Sequence, residues 1–155
     1  MLQIILNNPD LKDLEAAHTL AQFLAHYFQP AEQFVTGIHE LLLNAIEHGS
    51  LDIGFEKKSE LMRQGRWKDE IKRRLASSEY ATKQIEIKLA LDQNECRLTI
   101  TDQGNGFAWQ DFVGRPVNAR RPNGRGLLMA FNCKFDRVIY NAKGNEVTCV
   151  AQFRL

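Results

Sequence analysis

The spacing of apolar residues changes near Gln84, and this change constrains the fold more than any other feature. Before it, apolar side chains recur every three or four residues, which is typical of amphipathic helices. After it, Ile85, Ile87, Leu89 and Leu91 alternate with polar residues, which is typical of a strand with one buried face. Helices and strands therefore occupy separate parts of the chain, without β-α-β alternation. This order predicts an α+β fold with helices on one face of a mostly antiparallel sheet.

Turn and cap residues place the individual elements. Pro30 suits the first position of the second helix, and Gly49 suits its end. In chain order, we expect an edge strand at 2–6, helices at 11–28 and 30–48, a helical insertion at 51–83, a hairpin of strands at 85–91 and 96–100, a mobile loop at 107–124, a short helix at 125–133, and strands at 135–141 and 146–154.

The composition narrows the functional classes. A chain of 155 residues is enough for one domain, and 20 Lys and Arg against 19 Asp and Glu leave a net charge of +1. This balance gives no reason to expect nucleic-acid or anionic-membrane binding. The three cysteines form no CxxC pair, and no apolar run approaches the roughly 18 to 20 residues that span a bilayer. The start also lacks the basic opening of a signal peptide, so we expect a cytoplasmic location.

The insertion at 51–83 carries a charged amphipathic stretch from Ser59 to Ser77. Its apolar seam is weak and Gly65 lies inside it, so we expect a partly exposed helical insertion. Such a helix can simply face water, or it can form a partner-binding or dimer surface.

The second helix has two stripes at a spacing of three and four residues. Beside its apolar arc, Glu40, Asn44, Glu47 and His48 form a polar arc. This arc is either a solvated helix face or the wall of a site, because a carboxylate can accept a proton and an amide oxygen is a hard ligand suited to Mg²⁺. A zinc signature of the HExxH type is excluded, since Leu43 stands where the second histidine is required.

Two glycine motifs follow. Asp102, Gly104 and Gly106 come directly after a predicted strand, where glycines let the backbone approach a flat or phosphorylated ligand and the carboxylate can accept from an amine. Gly124 and Gly126 precede a predicted helix, whose free N–H groups can bind an anion. An Asp-Gly turn and a glycine-rich helix entry are the plain alternatives.

Three motifs, in this order along the chain, resemble the N, G1 and G2 boxes of the GHKL ATPases. They are Glu40-x-x-x-Asn44-x-x-x-His48-Gly49, Asp102-x-Gly104-x-Gly106 and Gly124-x-Gly126-Leu127. That superfamily includes gyrase, MutL and the histidine kinases. The sequence is most similar to the anti-sigma-factor serine kinases, whose ATP-binding domain is equally small. The resemblance implies a two-layer α/β sandwich of the Bergerat type, with a mixed but mostly antiparallel sheet, over the single domain 1–155.

The resemblance also implies residue roles. Asn44 would coordinate Mg²⁺ at the ATP phosphates, and Glu40 would be the general base for a serine hydroxyl or a water. Asp102 would accept from the adenine amino group, with Gly104 and Gly106 allowing the base to approach. The residues expected to close over the phosphates, with 107–124 as the lid, are Gly124, Arg125, Gly126 and Leu127.

The expected function is therefore Mg·ATP-dependent phosphorylation of a serine or threonine on a small STAS (anti-anti-sigma) partner in bacterial signalling, with a sigma factor as a further partner. A non-catalytic, ATP-dependent module that sequesters such a partner remains an alternative. So does the catalytic domain of a sensor histidine kinase, although that would need a phosphoacceptor helix pair. The insertion looks like that of related domains fused to receiver and phosphatase domains, and a homodimer stays open.

Overall fold

The computed structural model describes residues 1–7, 14–111 and 134–153. Five strands form one sheet: β1 (Leu2–Asn7), β2 (Gln84–Leu91), β3 (Glu95–Asp102), β4 (Arg137–Tyr140) and β5 (Glu146–Gln152). The four α-helices are α1 (Leu14–Ala25), α2 (Val35–Asn44), α3 (Phe55–Arg63) and α4 (Trp67–Leu75). Short 3-10 turns lie at Ala31–Gln33 and Trp109–Asp111, and α2 continues into a π-helical segment at Ala45–Ser50, which we call the π turn.

The strands are ordered β1-β2-β3-β5-β4, and all four pairings are antiparallel. The α+β class and the predicted strands are confirmed, including β1 as an edge strand. A mixed sheet was expected, but the described part of the chain has no parallel pair. Short turns join β2 to β3 and β4 to β5, and a connection of that length allows only antiparallel pairing.

One buried face of the sheet meets the helices. Along β2 the side chains alternate, with Ile85, Ile87 and Leu89 buried and Lys88 exposed. The core continues into the helices through a cluster of aromatic rings: Phe28 stacks on Phe34 at 4.9 Å, and Phe135 contacts both. The helices therefore pack on one face, as the binary pattern predicts.

The insertion differs from the single helix expected at 59–77. It forms two helices, α3 and α4, which are separated at Gly65 (φ +67°). Leu61, Ile71 and Leu75 are buried in the common core. A glycine in the left-handed region ends α3, and the two short helices then fold back so that both apolar seams reach the core.

The second helix also departs from the expected form. It begins with the 3-10 turn that Pro30 precedes, and it does not stop at Gly49 but widens into the π turn. Leu51 N–H donates to Ile46 O across this turn at 2.8 Å, the i-to-i+5 bond that defines π geometry.

Two further findings concern the described residues only. Cys96 and Cys149 are buried in the core. None of the helices described has the length and apolar character needed to cross a bilayer.

Candidate functional site

A narrow, open pocket lies between the end of α2 and the adjoining ends of β3 and β5. It brings together Asn44, Asp102 and Gly106, which are far apart in sequence. Leu41, Ala45, Ile100 and Val147 are among its apolar lining residues. Three predicted site residues are therefore gathered in one cavity.

The other predicted site residues lie differently. Gly104 is buried behind Asp102, and Glu40 stands one helical turn before Asn44 without being among the described residues that line the pocket. The predicted phosphate loop, Gly124 to Leu127, lies outside the described residues, as do the predicted helix 125–133 and most of the predicted lid.

Asp102 is the acidic group of the pocket. Its Oδ1 accepts a hydrogen bond from the Gly104 N–H at 2.8 Å. Burial raises the pKa of Asp102 to about 6, against the opposing effects of the Gly104 bond and of Lys143 and Lys83. Near neutral pH the group is therefore a desolvated carboxylate that gains from a ligand able to donate a hydrogen bond.

Two asparagines at the β4–β5 turn hold Asp102 in place. The Asp102 N–H donates to Asn145 O at 2.9 Å, and Asn145 Nδ2 donates back to Asp102 O at 3.0 Å. Asn141 Nδ2 in turn donates to Asn145 Oδ1 at 2.8 Å. In the sequence, residues 142–145 only join two predicted strands, and Asn141 and Asn145 are the signal that could have indicated this support.

Close backbone packing explains the glycines around Asp102. A Cβ at Gly49 would lie 2.5 Å from Asp102 Oδ1, and a Cβ at Gly104 would lie 2.6 Å from the Gly49 Cα. Gly106 has φ +76°, and a Cβ there would overlap the Lys143 carbonyl. The π turn thus packs directly on the Asp102 side chain and on Gly104, and Gly49 belongs to this contact instead of ending a helix.

Aromatic rings form a further wall of the pocket. Phe107 meets Tyr140 edge to face at 5.4 Å, and Trp109 stacks on Tyr140 at 5.8 Å. Trp109 Nε1 donates to Asn141 O at 2.9 Å, which fixes the indole against the turn. Such a wall suits a flat ligand, and no motif in the sequence pointed to it.

Asn44 presents an amide with unused bonding capacity. Its Nδ2 is buried and has no hydrogen-bond partner among the described residues. A buried amide without a partner costs free energy unless a ligand completes it. Asn44 therefore presents a donor that an acceptor atom of a ligand can satisfy.

The polar arc of α2 and the π turn is not a solvated face throughout. Glu47 is fully buried and forms an ion pair with Lys58 of α3, with Nζ 2.8 Å from Oε2. Glu40 is half-buried; burial raises its pKa, and Lys58 opposes the shift. The pKa of Glu47 is likewise raised by burial, with Lys58 again opposing. The Lys58 cation therefore keeps both carboxylates closer to their ionised form.

His48 is held as a neutral ring. Its Nδ1–H donates to the carbonyl of Ile53, and burial lowers the pKa of His48 to about 4. Because the unfolded chain binds this proton below about pH 6.5 and the folded chain does not, the free energy of unfolding falls as pH drops from 6.5 towards 4. A shift of this size corresponds to roughly 3 kcal/mol.

A His48→Gln variant is expected to lose less stability on acidification than the wild type, by roughly 2 to 3 kcal/mol between pH 6.5 and 4. Denaturant unfolding at a series of pH values measures this difference. His26→Gln, at an exposed histidine, is the matched control and should follow the wild-type curve. Parallel curves for the wild type and His48→Gln would show that His48 does not titrate in this way.

The comparisons with known proteins add no family assignment: no protein-family model matches the chain, and no curated protein gives a significant match. Within the described residues, no cluster of three or more His, Cys, Asp and Glu is arranged to hold a metal ion. The chemistry of the site therefore has to be argued from Asp102, Asn44, Glu40 and their surroundings.

Proposed function

We propose that this chain is a Mg·ATP-dependent serine/threonine protein kinase of the anti-sigma factor type, with a GHKL fold, that phosphorylates a STAS-domain partner. The observation that carries the proposal is the position of Asp102. It is a desolvated carboxylate in a pocket that aromatic rings line, and Gly49 and Gly106 line the same pocket without side chains. An adenine ring offers both the flat surface and the exocyclic amine that such a pocket can bind. The order of the three sequence boxes is the second support.

Asn44 fits the role of the protein ligand to Mg²⁺. Asn44 lines the pocket, its amide oxygen is the ligand type that Mg²⁺ prefers, and Mg²⁺ at nucleotides needs only one or two protein ligands besides the phosphates and water. When bound, Mg²⁺ supplies charge neutralisation at the transferring phosphoryl group. The absence of a three-residue cluster in the described chain is compatible with this arrangement.

Glu40 is the proposed general base. Its raised pKa makes the carboxylate more basic than an exposed one, while Lys58 keeps it ionised. Glu40 would take the proton of the serine hydroxyl as the serine oxygen bonds to the γ-phosphorus. The bond from that phosphorus to the β–γ bridging oxygen breaks, and ADP leaves.

One observation favours the second candidate, an ATP-dependent module that binds a sigma factor or STAS protein without catalysis. Glu40 is not among the described residues that line the pocket, whereas Asn44 and Asp102 are. Incubation with Mg²⁺, γ-³²P-labelled ATP and candidate STAS proteins separates the two. Label on a STAS serine supports the kinase, and ATP binding without transfer supports the module.

A Glu40→Ala variant is expected to bind ATP within about threefold of the wild type and to lose phosphotransfer by at least about 100-fold, the usual contribution of a general base. Calorimetry and single-turnover labelling measure the two effects. Glu32→Ala, at an exposed carboxylate just before α2, is the control. Full transfer activity in Glu40→Ala would show that Glu40 is not the base.

A further inference from the structure

The insertion is bonded to the π turn through its main chain. Ile53 N–H donates to Glu47 O at 2.7 Å, and Ile53 O accepts from the His48 ring. From α4, Arg74 Nη1 donates to Leu51 O at 2.7 Å. Glu47 O is one of the carbonyls that a widened helical turn leaves exposed at its end, so the insertion helps to complete the turn.

The side chains of α3 extend the same contact. Lys58 reaches the fully buried Glu47 and also lies over the ring of Trp67, with Nζ 5.2 Å from the ring centre. Phe55, the first residue of α3, packs on His48 at 4.2 Å and on Phe107 at 5.7 Å, both of which line the pocket. One helix of the insertion therefore touches the pocket wall and the buried acid behind it.

The π turn is also the element that brings Gly49 against Asp102. Gly49 lies directly against the Asp102 side chain and Gly104, so a shift of the turn by a few tenths of an ångström changes this contact directly. Lys58 does not line the pocket, and its ion pair with Glu47 connects it to the turn that does.

We propose that the insertion is part of the ligand site and that Lys58 is a positioning residue, whose ion pair with buried Glu47 holds the π turn so that Gly49 packs on Asp102. The proposal rests on the proposed function in that the ligand is taken to be an adenine nucleotide. Lys58 faces Glu47, Glu40 and His48, and it is the cation common to all three.

Removal of Lys58 leaves Glu47 as a buried charge without a counter-ion. Either Glu47 takes up a proton, or the turn opens to water and carries Gly49 away from β3; at a pH well above the raised pKa of Glu47, opening is the route that remains. In a Lys58→Met variant, amide hydrogen exchange over 46–53 and 102–104 is therefore expected to be at least tenfold faster in the ligand-free protein. The affinity for ATP is expected to fall at least tenfold.

Lys57→Met is the matched control. Lys57 is adjacent and exposed, and its ion pair with the exposed Glu60 is long, at 3.9 Å. Its exchange and affinity should equal those of the wild type. The double variant Glu47→Gln, Lys58→Met removes the unpaired charge, but it does not restore the ion pair that connects α3 to the π turn. We expect it to regain thermal stability while its ATP affinity stays at least tenfold low, a result that a purely stabilising role would not give.

The proposal is overturned if Lys58→Met keeps wild-type exchange in both segments, or if the double variant regains wild-type ATP affinity. If Lys58→Met does not fold, the double variant alone decides by the same affinity criterion. The exchange measurement needs no nucleotide. A wild type that binds no ATP would therefore refute the proposed function, while accelerated exchange in the folded variants would still support the positioning role.

Discussion

An Asp102→Asn variant is expected to bind ATP about 100-fold more weakly than the wild type, a loss of about 3 kcal/mol. The Asn oxygen can keep the bond from the Gly104 N–H, which places the amide –NH₂ towards the ligand. Two donors then face each other where the carboxylate accepted from the adenine amine. Isothermal titration calorimetry at pH 8 measures the loss.

This loss should not come from misfolding. Burial raises the pKa of Asp102 to about 6, so the folded state loses stability as pH rises from the unfolded value through 6. A neutral amide escapes this penalty, and the variant is expected to unfold at no lower temperature than the wild type at pH 8. A clear drop in the unfolding temperature would contradict the argument.

Asp92→Asn is the matched control for the chemical change. Asp92 Oδ1 also accepts backbone N–H bonds, from Asn94 at 2.6 Å and Glu95 at 2.9 Å, but it lies in the exposed β2–β3 turn. Its ATP affinity should be unchanged.

GTP supplies a second test, because guanine presents an acceptor where adenine presents an amine. The wild type should bind ATP more tightly than GTP, and Asp102→Asn should reduce this difference in affinity. Equal ATP affinity in the wild type and in Asp102→Asn would rule out Asp102 as the adenine acceptor.

The strands were the most predictable part of the fold. Alternation over Ile85–Leu91 reports a single buried face, and the Asp92–Asn94 turn fixes the hairpin with β3, so local patterns determine both elements. The grouping of Asn44 with Asp102 in one pocket was predictable only through the resemblance, since no local pattern relates residues 58 positions apart. The predicted roles of Glu40 and Asn44 stay predictions.

The π turn and its supports could not be read from the sequence. A glycine after a polar helix end normally predicts the end of the helix. Here Gly49 is instead required because the end of β3 packs closely against it. The sequence left Glu47 either on a solvated face or in the wall of a site, and its burial was not predictable because its partner, Lys58, belongs to a different helix. The sequence shows Gly65 inside the predicted helical insertion. It separates two helices because the apolar residues of α3 and of α4 both pack on the core. Each of these features depends on contacts between segments, which a periodicity does not contain.

A Gly49→Ala variant is the second large effect that we expect. The added methyl would lie 2.5 Å from Asp102 Oδ1 and closer still to its carboxyl carbon, and it cannot turn away because the Cβ is fixed by the backbone. Either Asp102 leaves its bond with Gly104 or the turn moves off β3. Overpacking of this kind costs about 3 kcal/mol, or roughly 6 to 12 °C in unfolding temperature for a chain of this size.

Gly54→Ala separates this steric effect from a general loss of glycine. Gly54 lies at the start of α3, and a Cβ there meets no atom within 4 Å. We expect an unchanged ATP affinity for Gly54→Ala and a loss of about 100-fold or more for Gly49→Ala, because the latter displaces the proposed adenine acceptor. If Gly49→Ala lowers the unfolding temperature but binds ATP normally, then the contact between the π turn and β3 supports the fold alone, and the ligand must bind elsewhere than beside Asp102.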